Sequence, residues 1–372
     1  MNFFISFFFK KKIFFFYILF LFFLIELFSY FLVKFLIKKS VFYEPSYIKQ
    51  SYEDYVNVYD PVLGWKNKNG DVYGARFDGS NFSNSSPCVD VYGDSYTYSY
   101  EVNDMDAWAS KLSDKLKCRV RNFGVIGYGT DQSFLRFYNS NNFSKVVILN
   151  STSEDIIRNV NQFLNFIYTS EEIKFKPRFI IQDNNLNLIK IQLPSKIEFN
   201  NFLKSPEYFL NYDYFIPGKR SGVTRVSIPF FFSLIRSLDH FHIKAIINKK
   251  SRLEEFYNFN HTSQSLELME MIIKEFVKSA KVKSSTPIIT IMPTCRDFMH
   301  KNRHGFFPYA NLSNILNKSD FLFIDFGLEI LSKKIDYKKL YLNCSTHMNS
   351  LGNQIISDIF EEKIKTSIIN FK

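Results

Sequence analysis

The sequence has few of the signals that mark metal-binding, dinucleotide-binding or nucleic-acid-binding proteins. Its four cysteines form no C-x-x-C pair and show no Cys/His spacing typical of zinc, so we expect no metal site. No G-x-G-x-x-G fingerprint occurs, and we expect no cofactor. Residues 1–39 carry +5 of the formal net charge of +11, and the remainder shows no Lys/Arg cluster with interleaved aromatic residues. We therefore expect no nucleic-acid partner.

Long apolar runs are also absent after residue 40, and the single one lies at the N-terminus. Residues 13–33 contain one ionisable side chain, Glu26, and at 1.5 Å per residue they span roughly 30 Å, the thickness of a hydrocarbon core. No small-residue cleavage site follows, so we predict an uncleaved signal anchor at 13–37 behind a cytoplasmic tail at 1–12. The rest is predicted to lie on the periplasmic or extracytoplasmic side. Glu26 marks either a partner helix in the membrane or a single tolerated charge.

From Cys88 onward, short apolar runs alternate with longer helix-like stretches, which favours a parallel sheet covered by helices. We predict a three-layer α/β/α, flavodoxin-like domain at 87–372, preceded by a stalk or lead-in at 38–86. An inserted segment at about 160–285 contains a hairpin at 178–193. The predicted strands are 88–92, 119–123, 145–149, 287–292 and 321–325, and the predicted helices are 107–117, 130–139, 263–283 and 350–368.

The first candidate for chemistry is Gly93-Asp94-Ser95, directly after a predicted strand. Ligand sites of parallel α/β sheets lie at the carboxyl ends of the strands, so Ser95 is placed where a nucleophile would be useful. Glycine permits the sharp exit from the strand. The tripeptide alone is equally compatible with an ordinary strand-to-helix turn.

Two further segments complete a set. The glycine-rich stretch at 122–130 follows the second predicted strand, and its main-chain N–H groups could form an oxyanion hole, or a plain turn. His347 lies in a loop before the last predicted helix, where it could serve Ser95 as a general base, or be a surface residue.

Taken together and in this order, VYGDS (91–95), NFGVIGYGTDQ (122–132) and THMNSLGN (346–353) resemble the motifs of the SGNH/GDSL hydrolase family. The resemblance covers about residues 88–160 and 286–368. It implies a serine nucleophile at Ser95, a general base at His347, and oxyanion donors at the main chain of Ser95 and at Gly127. The positions it implies in supporting roles are Asp94, Asn122 and Asn349, and Ser345 is a further candidate for such a role.

The sequence departs from the family pattern after the third strand, where an Asn normally donates a hydrogen bond to the oxyanion. Glu154 occupies this position here, and an ionised Glu can only accept one. Glu154 could contribute if it were protonated, or Asn150 or Ser153 could replace it as the donor.

A second departure concerns the acidic residue of the family, which lies two or three residues before the His. Those positions are Cys344 and Ser345 here, so the imidazolium of His347 would lack its charge partner. A backbone carbonyl or Ser345 could orient the ring instead, as part of a Ser–His dyad.

Two functions follow from the resemblance. The first is a membrane-anchored serine esterase or acyltransferase that acts on acyl-ester substrates, such as O-acetyl groups of cell-envelope glycans. The alternative is a catalytically degenerate domain that binds glycan or a partner protein.

The cysteines and two histidines carry further expectations. Cys88 and Cys118 open neighbouring predicted strands, which lie about 4.8 Å apart, so a disulfide is conceivable. Cys295 and Cys344 could approach each other near the edge of the site, but for both pairs we favour buried reduced thiols. The i, i+4 pair at 300 and 304 (His, His) is expected on a solvated basic face.

Overall fold

The computed structural model describes residues 2–67, 69–141 and 143–367, with side chains from residue 12 onward. Residue 1 and the side chains of 2–11, in the predicted cytoplasmic tail, lie outside the described part, as do residues 368–372 at the end of the predicted domain. The helices are α1 (Asn2–Lys38), α2 (Tyr52–Val58), α3 (Ser95–Tyr98), α4 (Trp108–Leu116), α5 (Thr130–Tyr138), α6 (Asp155–Asn159), α7 (Phe199–Lys204), α8 (Phe230–Ser237), α9 (Phe241–Ile247), α10 (Ser265–Val282), α11 (Cys295–His304), α12 (Ala310–Leu316), α13 (Phe326–Ser332) and α14 (Ser350–Ser367). The strands are β1 (Phe42–Tyr43), β2 (Tyr59–Asp60), β3 (Gly64–Trp65), β4 (Pro87–Tyr92), β5 (Arg119–Asn122), β6 (Val146–Thr152), β7 (Arg178–Gln182), β8 (Asn185–Ile189), β9 (Thr224–Arg225), β10 (Thr286–Met292) and β11 (Leu322–Asp325).

A parallel five-stranded sheet forms the centre of the larger of two compact units, which comprises Glu53–Gln162, Lys174–Leu193 and Lys250–Lys372. Its strand order is β5-β4-β6-β10-β11. Counted along the chain within the sheet, this is the order 2-1-3-4-5 of flavodoxin-like folds. All residues of β6 are buried, as expected for a parallel strand covered on both faces. The predicted fold class is confirmed.

Two groups of helices cover this sheet. In one group α4 packs against α14 and β5, and α13 packs against β10. In the other, α10 packs against α5, α6 and β10. The stacked rings of Trp108 on α4 and Phe360 on α14, with centroids 4.7 Å apart, join the helices of the first group. The outcome is a helix–sheet–helix sandwich.

The predicted elements agree with the observed ones to within one to three residues at each described end. The third strand differs most, because β6 continues to Thr152 in register with the full length of β10. The predicted hairpin is present as the antiparallel pair β7–β8. Position 368, the last of the predicted final helix, lies outside the described residues.

The second unit comprises the chain up to Tyr52, Phe163–Ile173 and Pro194–Lys249. Its helix α1 contains a stretch, Lys12–Lys38, that is long and apolar enough to cross a membrane. Beyond α1, β1 pairs in parallel with β9. These units differ from the predicted division into stalk (38–86), domain (87–372) and insertion (160–285), and that division, like the side of the membrane, stays a prediction.

The expectation of reduced thiols is wrong. Cys88 is disulfide-bonded to Cys118, and Cys295 to Cys344, with Cα atoms 5.9 Å and 4.9 Å apart. The first pair joins the starts of the neighbouring strands β4 and β5, and the second ties the N-terminus of α11 to the loop before α14.

The expectation that the histidine pair on α11 lies on a solvated basic face is also wrong for His300. His300 is 6% exposed, and its ring lies 4.4 Å from that of His304 between ring centroids. Burial lowers the pKa of His300, with His304 adding to the effect. His300 is therefore part of the packing, whereas His304 is half-buried.

Candidate active site

Ser95 is the first residue of α3, at the carboxyl end of β4. Gly93 makes the turn between them, because a Cβ at this position would lie 2.0 Å from Oγ1 of Thr97. Asp94 is the N-cap of α3, and its Oδ1 accepts a hydrogen bond of 2.8 Å from N–H of Tyr96. The turn predicted from the GDS tripeptide therefore presents Ser95 at the end of the helix where main-chain N–H groups lack intrahelical acceptors.

Asp94 also anchors this turn to the next strand of the sheet. Its Oδ2 accepts hydrogen bonds from Oγ1 of Thr152 (2.9 Å) and from Nη1 of Arg158 (3.0 Å). Asp155 accepts from the same guanidinium nitrogen at 3.0 Å, and burial followed by the Asp94 charge raises its pKa well above the usual range. Asp94 thus fixes the position of Ser95. The hydrogen bonds of its carboxylate go to Tyr96, Thr152 and Arg158 and not to His347.

Asn122 fixes the other end of α3. Its Nδ2 donates to the carbonyl oxygen of Thr97 (2.7 Å), and its Oδ1 accepts from N–H of Gly124 (3.0 Å). This residue therefore joins the second glycine-rich block to the helix that carries Ser95.

His347 lies against Ser95, as the sequence predicts. Nε2 of His347 and Oγ of Ser95 are 2.8 Å apart, within the range of a hydrogen bond between a nucleophile and its base. The two residues are 252 positions apart in the chain. The rings of Tyr96 and Tyr100 flank the imidazole at centroid distances of 4.9 Å and 5.7 Å.

A carboxylate that sequence reasoning missed completes the set. Oε1 of Glu101 lies 3.3 Å from Nδ1 of His347, and both side chains are 24% exposed. Glu101 follows Ser95 by six residues, so the carboxylate at His347 comes from the loop that follows Ser95 rather than from the positions before the His. An acidic residue just after the GDS block was the available signal.

The loop that carries Glu101 is held by Arg76, from the segment predicted as a lead-in. Its guanidinium donates to the carbonyl oxygens of Tyr98, Ser99 (2.7 Å) and Val102 (2.6 Å), and to Oδ1 of Asp104 (2.8 Å). Arg76 is 7% exposed. These contacts enclose residues 98–104, so Arg76 is a positioning residue for Glu101.

The loop that carries His347 is fixed at several points. Tyr341 and Met348 form an antiparallel bridge across it, and Nδ2 of Asn349 donates to the carbonyl oxygens of Lys339 (2.9 Å) and Tyr341 (3.3 Å). The Cys295–Cys344 disulfide ties the same loop to α11.

Ser345, which sequence reasoning offered as an orienting group for the histidine, has a different partner. Its hydroxyl accepts a hydrogen bond of 3.3 Å from Nη2 of Arg296 and is exposed. The contact at Nδ1 of His347 is made by Glu101 instead.

Gly127 lies in the loop between β5 and α5 with a φ of +81°, in the left-handed region that favours glycine. The loop is tied down by Trp65, whose Nε1 donates to the carbonyl oxygen of Ile126 (3.0 Å), and by Arg158, which donates to that of Tyr128 (3.0 Å). Its backbone is therefore held in one conformation beside the end of β5.

Glu154, at the family position of an oxyanion donor, is an acceptor. Oε1 of Glu154 accepts a hydrogen bond of 2.6 Å from Nη2 of Arg252, and Oε2 lies 3.9 Å from Nη2 of Arg158. A guanidinium group can only donate, so Glu154 acts as an acceptor in the hydrogen bond from Arg252.

The two substitute donors considered from the sequence are engaged elsewhere. Nδ2 of Asn150 donates to Oγ1 of Thr97 (2.8 Å), and its Oδ1 accepts from Thr290 (2.7 Å). Oγ of Ser153 donates to Oδ2 of Asp297 (2.7 Å). Both residues therefore stabilise the floor of the site.

Asp297, which also lies in the floor of the site, has a fully buried carboxyl group. Burial raises its pKa to about 6, although hydrogen bonds from Thr294 and Ser153 favour the carboxylate. Within the described ranges, no group of three His, Cys, Asp or Glu side chains is arranged to hold a metal ion.

Comparisons with known proteins leave the chain without an assigned family. No family model matches it, and no curated protein matches it. One similar solved structure is described as "a putative lipolytic protein of G-D-S-L family" from Desulfitobacterium hafniense DCB-2, with a TM-score of 0.38 and 13% identity. The match covers 74% of this chain and 98% of the other.

Proposed function

We propose that the protein is a membrane-anchored serine esterase or O-acyltransferase of the SGNH/GDSL type. The observation that carries this proposal is the 2.8 Å contact between Oγ of Ser95 and Nε2 of His347. Glu101 at Nδ1 of the same ring extends it to a Ser–His–Glu arrangement. Such arrangements are defined by geometry and role rather than by position in the chain.

The reaction follows from these contacts. Oγ of Ser95 attacks the carbonyl carbon of an acyl ester while its proton passes to Nε2 of His347. The Glu101 carboxylate stabilises the imidazolium through Nδ1. The tetrahedral intermediate expels the alcohol, which takes the proton from Nε2, and an acyl-serine forms. Water or an acceptor hydroxyl then attacks the acyl-serine while its proton passes to Nε2 of His347. The bond between Oγ of Ser95 and the acyl carbon breaks, Oγ takes the proton back from Nε2, and an acid or a new ester is released.

The oxyanion of the intermediate is assigned to main-chain N–H groups, those of Ser95 and Gly127. Glu154 is not assigned a part, because its carboxylate accepts from Arg252. The absence of a side-chain donor at this position costs about 2.7–4 kcal/mol of transition-state stabilisation relative to a site with that donor. We therefore expect slow turnover of unactivated esters and faster turnover of activated ones.

The proposed substrates are acyl esters of the cell envelope. A membrane-spanning α1, with the catalytic domain on the extracytoplasmic side, would place the site next to the cell envelope. Acyl esters there include O-acetyl groups of glycans. The exposed ring of Tyr100 beside His347 offers a surface on which a sugar could stack.

The second candidate, a non-catalytic domain that binds glycan or a partner protein, is favoured by Glu154 alone. Here an ionised side chain stands at the donor position, which disfavours an oxyanion intermediate. The Ser95–His347–Glu101 arrangement favours the enzyme, because a binding surface does not require a base at hydrogen-bond distance from the serine.

Labelling with a fluorophosphonate probe separates the two. The enzyme forms a Ser95 adduct that is lost in Ser95→Ala and retained in Ser345→Ala, which removes an exposed hydroxyl from the loop that carries His347. Release of p-nitrophenol from p-nitrophenyl acetate should follow the same pattern. No Ser95-dependent adduct and no ester hydrolysis, together with glycan binding that survives Ser95→Ala, would establish the binding protein instead.

A further inference from the structure

Helix α8 packs along the outer end of the apolar helix α1, within the second unit. Phe230 and Leu234, on one face of α8, pack on a cluster that includes Val33 and Ile37 of α1. The ring of Phe230 also contacts that of Tyr30, with centroids 5.2 Å apart. The partners of α8 are thus residues of the predicted anchor.

The single ionisable residue of the apolar run takes part in this contact. The carboxylate of Glu26 accepts hydrogen bonds from N–H of Phe230 and from N–H of Phe231 (3.1 Å), the first two residues of α8. A negative charge at a helix N-terminus is favourable, because unpaired N–H groups and the helix dipole meet it there. Glu26 therefore has hydrogen-bonding partners in a short helix of its own chain.

Other polar groups where α8 begins are also satisfied without water. Pro229 has no N–H group, and N–H of Phe232 donates to its carbonyl oxygen (3.2 Å). The hydroxyl of Ser233 accepts a hydrogen bond from N–H of Ser227 (2.9 Å) and donates one to the carbonyl oxygen of Ser227 (2.9 Å). Backbone paired in this way is tolerated in hydrocarbon, whereas unpaired backbone is not.

The opposite face of α8 is apolar and exposed. Its residues follow helical spacing, and their exposed fractions range from 39% to 56%. They are Phe231, Phe232 and Ile235 of α8 and Leu238 at its C-cap. An eight-residue helix that is apolar on two faces is unusual on a surface that faces water. Only one face is buried, and the opposite face of a surface helix normally carries polar residues.

The chain enters and leaves the segment 226–240 at about the same position along α1, near the C-terminal end of that helix. Before α8, β9 pairs with β1, just after the end of α1. After α8, N–H of Phe241 donates to the carbonyl oxygen of Ser221 (3.1 Å), three residues before β9. Residues 226–240 therefore run along α1 to Glu26 and return.

The depth of this excursion follows from helix geometry. Glu26 lies seven residues before the end of the apolar run at Val33, which is about 10 Å at 1.5 Å per residue. Arg236 lies six residues along α8 from Phe230, about 9 Å back toward the exit, and its Nη1 donates to Oγ of Ser227 (3.1 Å).

We propose that residues 226–240 form a re-entrant element that enters the same leaflet as the outer end of α1, with the apolar face of α8 covered by lipid acyl chains. The occupant follows from continuity, since α8 lies on a helix that is itself long and apolar enough to cross the membrane. The element would fix the protein at a set depth and tilt, which a single helix does not.

Depth-dependent quenching by brominated lipids tests this in the full chain, reconstituted in nanodiscs. Phe232→Trp places a reporter on the apolar face of α8. Phe22→Trp reports from the anchor, and Tyr208→Trp, at an exposed position of the same unit, reports from outside α8. The two native tryptophans are buried, and their signal is subtracted by measuring the unsubstituted protein in the same lipids.

We expect the added emission of Trp at 22 and at 232 to lose most of its intensity in brominated lipid, and that at 208 to be unchanged. Addition of Glu26→Leu to Phe232→Trp should reduce the quenching, because α8 loses its contact at that depth. Quenching at 22 without quenching at 232 would overturn the proposal and point to a protein on this face, such as a second copy. Quenching at neither position would overturn the anchor and the proposal together, whatever the outcome of the serine labelling.

Discussion

The carboxylate of Glu101 lies 3.3 Å from Nδ1 of His347, on the opposite side of the imidazole from Ser95. The proposed acid and nucleophile thus belong to one short stretch of chain, six residues apart, and a single histidine from the far end of the sequence joins them. In this arrangement the carboxylate selects the tautomer with a proton on Nδ1, which leaves Nε2 free to accept the serine proton.

Glu101→Gln should lower kcat by roughly 10²–10⁴-fold with little change in KM, because the amide no longer stabilises the imidazolium. Steady-state hydrolysis of p-nitrophenyl acetate measures this. Glu267→Gln, at an exposed position on α10, is the matched control and should leave both constants unchanged. Equal kcat values for the Glu101 variant and the control would remove Glu101 from the mechanism.

Much of the fold could be predicted because its signals are local. The apolar runs 88–92 and 287–292 are bounded by turn residues, and they become strands of one parallel sheet, each paired with β6 on one side. The pairing of Ser95 with His347 was also predictable. Ser95 follows a strand and His347 precedes the last helix, and a parallel sheet brings these two positions to the same edge.

Glu101 and Arg76 could not be predicted in the same way. The carboxylate reaches His347 only because α3 is a single turn that ends at Ser99 with a left-handed conformation, and no periodic pattern marks so short an element. Arg76 lies in a segment without regular structure, and its role depends on three carbonyl groups of another loop. Such contacts follow from tertiary packing.

Arg76→Ala should lower kcat by about tenfold or more while KM changes little, because the loop at 98–104 loses the contacts that hold Glu101. Losing hydrogen bonds of a buried charged group should also destabilise the fold by about 1–3 kcal/mol, so activity is measured well below the melting temperature. Arg76→Lys restores the charge but not the fork of donors and should recover only part of the activity. Full activity in the alanine variant would show that the loop holds Glu101 without Arg76.

The two disulfides should differ in their effect on activity. Cys295→Ser/Cys344→Ser releases the loop that carries His347 from α11, so kcat should fall. Cys88→Ser/Cys118→Ser removes a bond at the opposite ends of the strands, so kcat should be retained. Each change should lower the free energy of unfolding by about 2–4 kcal/mol. Esterase activity of both double variants is compared in the folded state, and an equal loss in the two would refute a specific role for the second bond.

Asp297 should make the stability of the α/β unit depend on pH in an unusual direction. Its pKa rises from 3.8 to about 6 on folding because the carboxyl group is buried. The folded state therefore holds this proton more tightly than the unfolded state does. The resulting stability is present below pH 4 and is lost as pH rises through 6, with a total of about 3 kcal/mol.

Asp297→Asn keeps the shape of the side chain and cannot ionise, so it should not lose this contribution. The free energy of unfolding of the variant, relative to the unsubstituted protein, should rise by roughly 2.5 kcal/mol between pH 4 and pH 7. Urea unfolding in nanodiscs, followed by the fluorescence of the buried Trp65 and Trp108, measures the difference at each pH. Asp183→Asn, in the exposed turn of the β7–β8 hairpin, should show no such trend. A constant difference for the Asp297 variant across this range would mean that the buried carboxyl ionises as readily in the folded protein as in the unfolded chain.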